Sequence, residues 1–279
     1  MNHVAEGLRR LSELAQNRPS REQGTSSVVS LQDKSKCAEC GDTGWVAVLD
    51  DGATMPISSV SPGEVFSARE CICSEKRRAL RVLRSSRITE EFQRLGFRNF
   101  SIAGRPQAVR IAYEVAKEYN DKFAELVDDR CNSIALLGRP GCGKTHLLMA
   151  VCNNLMRKGI EVLYFPWVEG MNELRDDMDD LERRVGVLRK VEVLYIDDLF
   201  KGRKEPTPFA LEQLFGIINY RYLNHKPILV SSEKTVDQLC EIDEGVGSRI
   251  YEMARNYTVL MSLTPEEKAS GMQLNYRLR

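Results

Sequence analysis

Two rhythms of apolar residues alternate along the chain, and they predict its elements. Val4, Leu8, Leu11, Leu14 and Ala15 recur at the three- and four-residue spacing of one helix face, with Glu6, Arg9, Arg10 and Glu13 elsewhere on the wheel. This spacing predicts a short amphipathic helix over residues 1–17. Arg18–Lys36 is rich in Ser, Gln and charge, with scattered valines and one leucine. That is too little apolar surface to offset the entropy of ordering, so the segment is expected to be a linker.

From residue 106 onward, helical spacing alternates with short apolar runs. A helix over 106–127 precedes the run Ser133–Leu137, a second helix starts at Lys144, and Val162–Phe165 is the next run. A longer helical stretch leads to Val193–Ile196, then come a helix over Pro208–Tyr222, the run Ile228–Ser231, a helical piece and the run Thr258–Leu263. Five apolar strands separated by helices predict an α/β fold, a parallel sheet covered by helices on both faces.

The stretch between the linker and this domain reads differently. Residues 37–88 hold paired cysteines around a Gly/Pro/Ser-rich middle, a strand-like piece at Trp45–Leu49, and a strongly basic helical segment, Glu75–Arg87. A small metal-stapled module is expected there. Residues 89–105 supply aromatics between Phe92 and Phe100 and are expected to connect the module to the main domain over 106–265, with 266–279 as a tail.

Composition narrows the class. The 42% hydrophobic and 29% charged residues are the balance of a globular protein with a core. Lys plus Arg and Asp plus Glu both number 40, so no whole-chain field favours nucleic acid and any DNA contact must be local. No apolar run approaches a membrane span, and Met1–Asn17 lacks the apolar core of a secretory signal, which points to the cytoplasm and no membrane partner. In that reducing compartment, the eight cysteines are expected to bind metal or fill core rather than form bridges.

The strongest chemical signal is Gly138-Arg139-Pro140-Gly141-Cys142-Gly143-Lys144-Thr145, a full match to G-x-x-x-x-G-K-[ST] set between an apolar strand and a helix opening at His146. Glycines let backbone N–H groups turn inward around phosphates, and the helix N-terminus adds its positive dipole end. Nucleotide contacts are expected from Gly138 through His146, with Lys144 on the β and γ oxygens and the Thr145 hydroxyl on Mg²⁺. The later apolar strand ends in Asp197-Asp198: Asp197 is expected to hold the magnesium of MgATP, and Asp198 to orient and deprotonate the attacking water. Ser231 and Ser232 end the next strand, where either could sense the γ-phosphate, with Ser232 the expected sensor. Glu233 follows as either a nucleotide contact or a capping residue. Nucleotide kinases share the loop but need a mobile basic lid, and no arginine-rich segment supplies one.

Cys37-Ala-Glu-Cys40 and Cys71-Ile-Cys73 form two short chelating turns, a natural seat for Zn²⁺ on four thiolates, with a redox dithiol or four unrelated thiols as the alternatives. Four protein ligands leave no position for water, so the zinc is expected to be structural. Lys201-Gly-Arg203-Lys204, just past the acidic pair, is a local basic run suited to a single-stranded DNA backbone, or a solvated loop.

Taken together, Cys-x-x-Cys-Gly-Asp-Thr-Gly-Trp, Cys-Ile-Cys, the phosphate loop, Tyr-Ile-Asp-Asp-Leu, Val-Ser-Ser-Glu-Lys-Thr and Gly-Ser-Arg-Ile-Tyr-Glu-Met resemble the DnaC/DnaI family of replicative helicase loaders over residues 37–265. The resemblance implies an AAA+ ATPase that assembles with ATP into a homo-oligomer and delivers a DnaB-type hexameric helicase onto single-stranded DNA. The N-terminal helix and zinc module are then expected to grip the helicase. It also implies that Arg249, in Gly247-Ser-Arg-Ile, acts across a subunit boundary on a neighbour's γ-phosphate, with Arg255 as a rival. Family members often carry Asn where this chain has Glu233, and the short stretch after Leu263 implies a reduced or absent helical lid. Two other functions fit the ATPase domain: an IstB-like transposition helper, and a binding adaptor that ATP merely switches.

Overall fold

The computed structural model describes residues 37–278 apart from 42, 51, 62, 64, 75–85 and 203–204. The expected N-terminal helix and linker, most of the basic segment, and Arg203 and Lys204 lie outside the described residues.

Near the start, β1 (Trp45–Leu49), β2 (Thr54–Pro56) and β3 (Phe66–Glu70) form an antiparallel sheet in the order β2-β1-β3. The turn into β2 closes through Leu49 N–H donating to Ala53 O and Gly52 N–H to Leu49 O, each at 2.9 Å. Val46 and Ala47 are its buried residues, a core too small to hold three short strands alone. Cys71 N–H donates to Gly44 O at 2.8 Å, which lays the second cysteine pair beside the first.

The larger domain opens with α1 (Glu90–Gln93) and α2 (Gln107–Leu126), followed by β4 (Ile134–Gly138), α3 (Lys144–Arg157) and β5 (Val162–Pro166). Next come α4 (Trp167–Asp176), α5 (Leu181–Lys190), β6 (Val193–Leu199), α6 (Pro208–Leu223) and β7 (Ile228–Ser232). The chain continues with α7 (Val236–Ile242), α8 (Glu244–Ala254), β8 (Thr258–Met261) and α9 (Pro265–Ala269). The sheet is five-stranded and parallel in the order β5-β6-β7-β4-β8, as the apolar runs predict. The long helical stretch after β5 is two helices, parted at 177–180, where Asp177 leaves helical geometry at φ −131°.

Alternation along the strands divides the core into two layers. Ala135, Leu137, Phe165, Ile196 and Val230 face the side covered by α4, α5, α6 and α8. Ile134 and Leu136 alternate with them, and α2 and α3 pack against each other and against β4. Arg221 of α6 is fully buried, and its guanidinium donates to five carbonyls, those of Leu188, Arg189, Val191, Glu192 and Pro227. It ties the end of α5 to the entrances of β6 and β7, so the strand carrying the acidic pair is anchored at its far end. No helix among the described residues is long and apolar enough to cross a membrane.

Candidate active site

The phosphate loop leaves β4 and turns into α3 over residues 138–144. Gly141 sits at φ +76°, and a Cβ there would stand 1.9 Å from Asn275 Oδ1. Gly143 sits at φ +106°, with Phe100 so close that a Cβ would lie 2.7 Å from its ring. Both positions need glycine for conformation and for space. Lys144 is only 5% exposed, and its ammonium donates to Gly138 O at 2.6 Å and Arg139 O at 3.1 Å. These carbonyls belong to the loop itself, so the cation is held at the loop's mouth by acceptors that phosphate oxygens can replace. Cys142 is buried with its sulfur 3.7 Å from Met261 Sδ, and burial pushes the thiol pKa up. Its sulfur is thus held between the core and the Lys144 ammonium, which lies 3.9 Å away.

Asp197 lies at the end of β6, 6% exposed, and collects four hydroxyl donors. Tyr195 reaches Oδ1 at 2.6 Å, Thr145 reaches Oδ1 at 3.1 Å, Tyr164 reaches Oδ2 at 3.1 Å, and Ser231 also bonds Oδ1. Burial first, and the neighbouring Asp197 second, push both tyrosines well above the usual phenol range, so each stays a donor. Strand pairing explains the cluster: Tyr195 is two residues before Asp197 and so shares its side of the sheet, and Tyr164 is the register partner of Tyr195 on β5. The sequence reading missed both tyrosines, although this two-residue spacing was the signal.

Between Ile196 and Leu199 the register of β6 against β7 shifts, and Asp198 takes a left-handed φ of +54°. This irregularity turns two consecutive carboxylates to different tasks. Asp198 N–H donates to Ser231 Oγ at 2.8 Å, while its carboxylate meets the Lys201 ammonium at 2.7 Å. Ser232, expected as the sensor, donates to Leu199 O at 2.7 Å and accepts from Lys234 N–H at 3.1 Å. Adjacent residues of a strand face opposite ways, so Ser231 reaches the Asp197 carboxylate and the Asp198 backbone while Ser232 braces the turn after β6.

His146 faces the connector: its Nε2 is 3.1 Å from both Gly96 O and Asn99 Oδ1, and burial lowers its pKa. Asn153 of α3 likewise donates to Phe92 O at 2.9 Å and Leu95 O at 2.7 Å. The tail crosses the other side of the loop, where Tyr276 N–H donates to Gly141 O at 3.0 Å and the Tyr276 ring lies 4.3 Å from the Arg105 guanidinium. Arg249 folds back along α8 to donate to Gly245 O at 2.7 Å, its guanidinium over the rings of Phe215 and Tyr222 of α6. Arg255 is exposed beyond α8.

The four sulfurs of Cys37, Cys40, Cys71 and Cys73 lie within 4.8 Å of one another. Thiolates around a tetrahedral zinc, with bonds near 2.3 Å, stand about 3.8 Å apart. Gly44 N–H points at Cys40 Sγ from 3.4 Å, a donor that favours the thiolate. The donor set fits zinc in number, chemistry and span.

A phosphate loop after β4, an interior strand of a parallel sheet, with an acidic pair near the end of β6 across the intervening β7, defines a P-loop ATPase of the AAA+ type. The sequence profile of the bacterial DnaA ATPase domain matches residues 93–254, and the chain belongs to that family. Protein YqaM of Bacillus subtilis (strain 168) is 47% identical over 215 residues, 76% of this chain and 67% of that protein. The phage-like element PBSX protein XkdC of the same organism is 44% identical over 246 residues, 87% of this chain and 86% of that one. An insertion sequence IS5376 ATP-binding protein of Geobacillus stearothermophilus is 30% identical over 155 residues, 54% of this chain and 57% of that protein. Among solved structures, DnaI matches with a TM-score of 0.53 at 22% identity over 63% of this chain and 96% of its own. The DnaC helicase loader matches with 0.52 at 22% identity over 62% and 100%. The fold is the one the resemblance implies, and the enzyme class is ATPase.

Proposed function

We propose that the protein is a helicase loader, which binds a DnaB-type hexameric helicase and, driven by ATP, delivers it onto single-stranded DNA. The observation that carries this reading is a path of contacts from the end of the cysteine module to the nucleotide site. Tyr164 N–H donates to Ser86 O at 2.9 Å, the rings of Phe92 and Tyr164 meet edge to face at 5.7 Å, and the Tyr164 hydroxyl donates to Asp197. Whatever binds at Asp197 therefore acts on the residue that seats the connector, the physical requirement for a nucleotide-timed grip.

In this reading Gly138–Thr145 wraps the phosphates of ATP and Lys144 turns from Gly138 O toward their β and γ oxygens. Thr145 and Asp197 would hold Mg²⁺, which would supply charge neutralisation for the phosphates. Asp198 accepts the proton of the attacking water, and Ser231 holds the Asp197 carboxylate while accepting from the Asp198 backbone N–H. Arg249 leaves its aromatic seat to reach the γ-phosphate of a neighbouring subunit in an ATP-dependent oligomer. Cys37, Cys40, Cys71 and Cys73 would hold a zinc that would stiffen the module, and the module together with the N-terminal segment grips the helicase.

The 30% identity to the insertion-sequence ATP-binding protein favours a second reading, a transposition helper acting on a transposase. One experiment separates the two: the protein is mixed with the helicase encoded in the same genome, and complex size and transfer to DNA coated with single-strand-binding protein are measured with and without ATP. The loader reading predicts association and ATP-dependent transfer. Failure of both, alongside ATP-dependent binding to a transposase, overturns it and leaves the ATPase standing.

A further inference from the structure

Glu233 follows β7 directly, and the pairing Leu137↔Ser232 sets it level with Gly138, the first residue of the phosphate loop. Asp197 and Asp198 lie near the end of the adjacent strand, so three carboxylates crowd one edge of a site that must accept a polyanion. Like charges at such separations oppose phosphate binding unless a cation intervenes. The cation is present. Lys201 Nζ lies 2.7 Å from Asp198 Oδ2 and 3.5 Å from Glu233 Oε1.

The backbone puts it there. Asp198 and Phe200 both take left-handed φ, +54° and +61°, and Lys201 N–H donates to Asp198 O at 3.0 Å. This tight turn folds the lysine back over the carboxylates. Lys201 is 44% exposed, Asp198 32% and Glu233 34%, so the bridge is partly dry and open to a ligand entering beside it. Hydrogen bonding to Asp198 raises the Lys201 pKa, which keeps it charged.

We propose that Lys201 is a positioning residue of the ATPase site: it cancels the charge of Glu233 and fixes the rotamer of the base Asp198. The inference rests on the assignment of Asp198 as base. It also withdraws Lys201 from any DNA-tracking role, because its ammonium is held inside the site.

The test is steady-state ATP hydrolysis by the full chain, with thermal melting and fluorescent-nucleotide binding as folding controls. Lys201→Met is expected to raise KM for ATP about tenfold, because Glu233 is left uncompensated, and to lower kcat about tenfold, because Asp198 is no longer held. Adding Glu233→Gln to Lys201→Met is expected to restore KM but not kcat, and Lys201→Arg to keep both within about threefold. A surface ion pair without a role in the site predicts no such split, since exposed pairs contribute little. Folded Lys201→Met protein with unchanged KM and kcat, or a double variant with no recovery of KM, overturns the proposal. An Asp198→Asn variant that hydrolyses ATP normally overturns the base assignment instead, so the two failures are distinct.

Discussion

Tyr195 donates its hydroxyl to Asp197 at 2.6 Å from two residues away on the same strand, and neither group is free to turn elsewhere. Tyr195 is fully buried and Asp197 nearly so. A hydrogen bond to a charged, buried group contributes about 1.5–3 kcal/mol. Tyr195→Phe is therefore expected to lower stability by about that amount in denaturant unfolding and to weaken Mg²⁺-dependent ATP binding several-fold. Unchanged Mg²⁺ dependence in a folded variant would show that the hydroxyl cluster does not set the carboxylate.

Lys144→Ala is expected to abolish ATP binding, because the Lys144 ammonium held by Gly138 O and Arg139 O is the one that can turn to the phosphates, whereas the buried Arg105 guanidinium at the same loop donates to Cys142 O at 3.0 Å. Asp198→Asn should bind ATP and fail to hydrolyse it. Mixing Lys144→Ala with Arg249→Ala protein should recover part of the wild-type rate, since one supplies the finger and the other the loop. No recovery at any ratio argues against a shared site.

The sheet was legible because its strands are apolar on both faces, as buried parallel strands must be, and the loop because its glycines and lysine sit between strand and helix. What escaped the reading depends on register. Which of Ser231 and Ser232 meets Asp197 follows from the shift between Ile196 and Leu199, and a linear sequence does not display a register shift. Tyr164 joins the site only by pairing with Tyr195 across strands. Arg221 looks like a surface residue of an amphipathic helix until its five carbonyl partners are seen. Glu233 looked like a departure from the family pattern, and its partner Lys201 is supplied by a left-handed turn no motif records.

His146 yields a pH dependence. Gly96 O can only accept, so Nε2 carries a proton and donates, and burial lowers the folded-state pKa below the unfolded value of about 6.5. The folded state thus disfavours the second proton. This contribution to stability is full above about pH 6.5 and is lost as pH falls through the folded pKa. His146→Gln is expected to flatten the pH dependence of the melting temperature below pH 6.5, and an unaltered slope would remove His146 as its source.

Purified without chelator, the protein should carry one zinc per chain, with Cys71→Ser lowering occupancy and unfolding the β1–β3 sheet. Less than about half an equivalent by metal analysis contradicts four-thiolate ligation.

The coupling of ATP to a helicase is tested most directly by light scattering of the chain mixed with the hexameric helicase of its own genome, followed by release of that helicase onto single-stranded DNA. A stable complex is expected for wild type and for Asp198→Asn, with ATP-dependent release for wild type alone. Absence of a complex in every nucleotide state, or equal release by Lys144→Ala and wild type, would contradict the account.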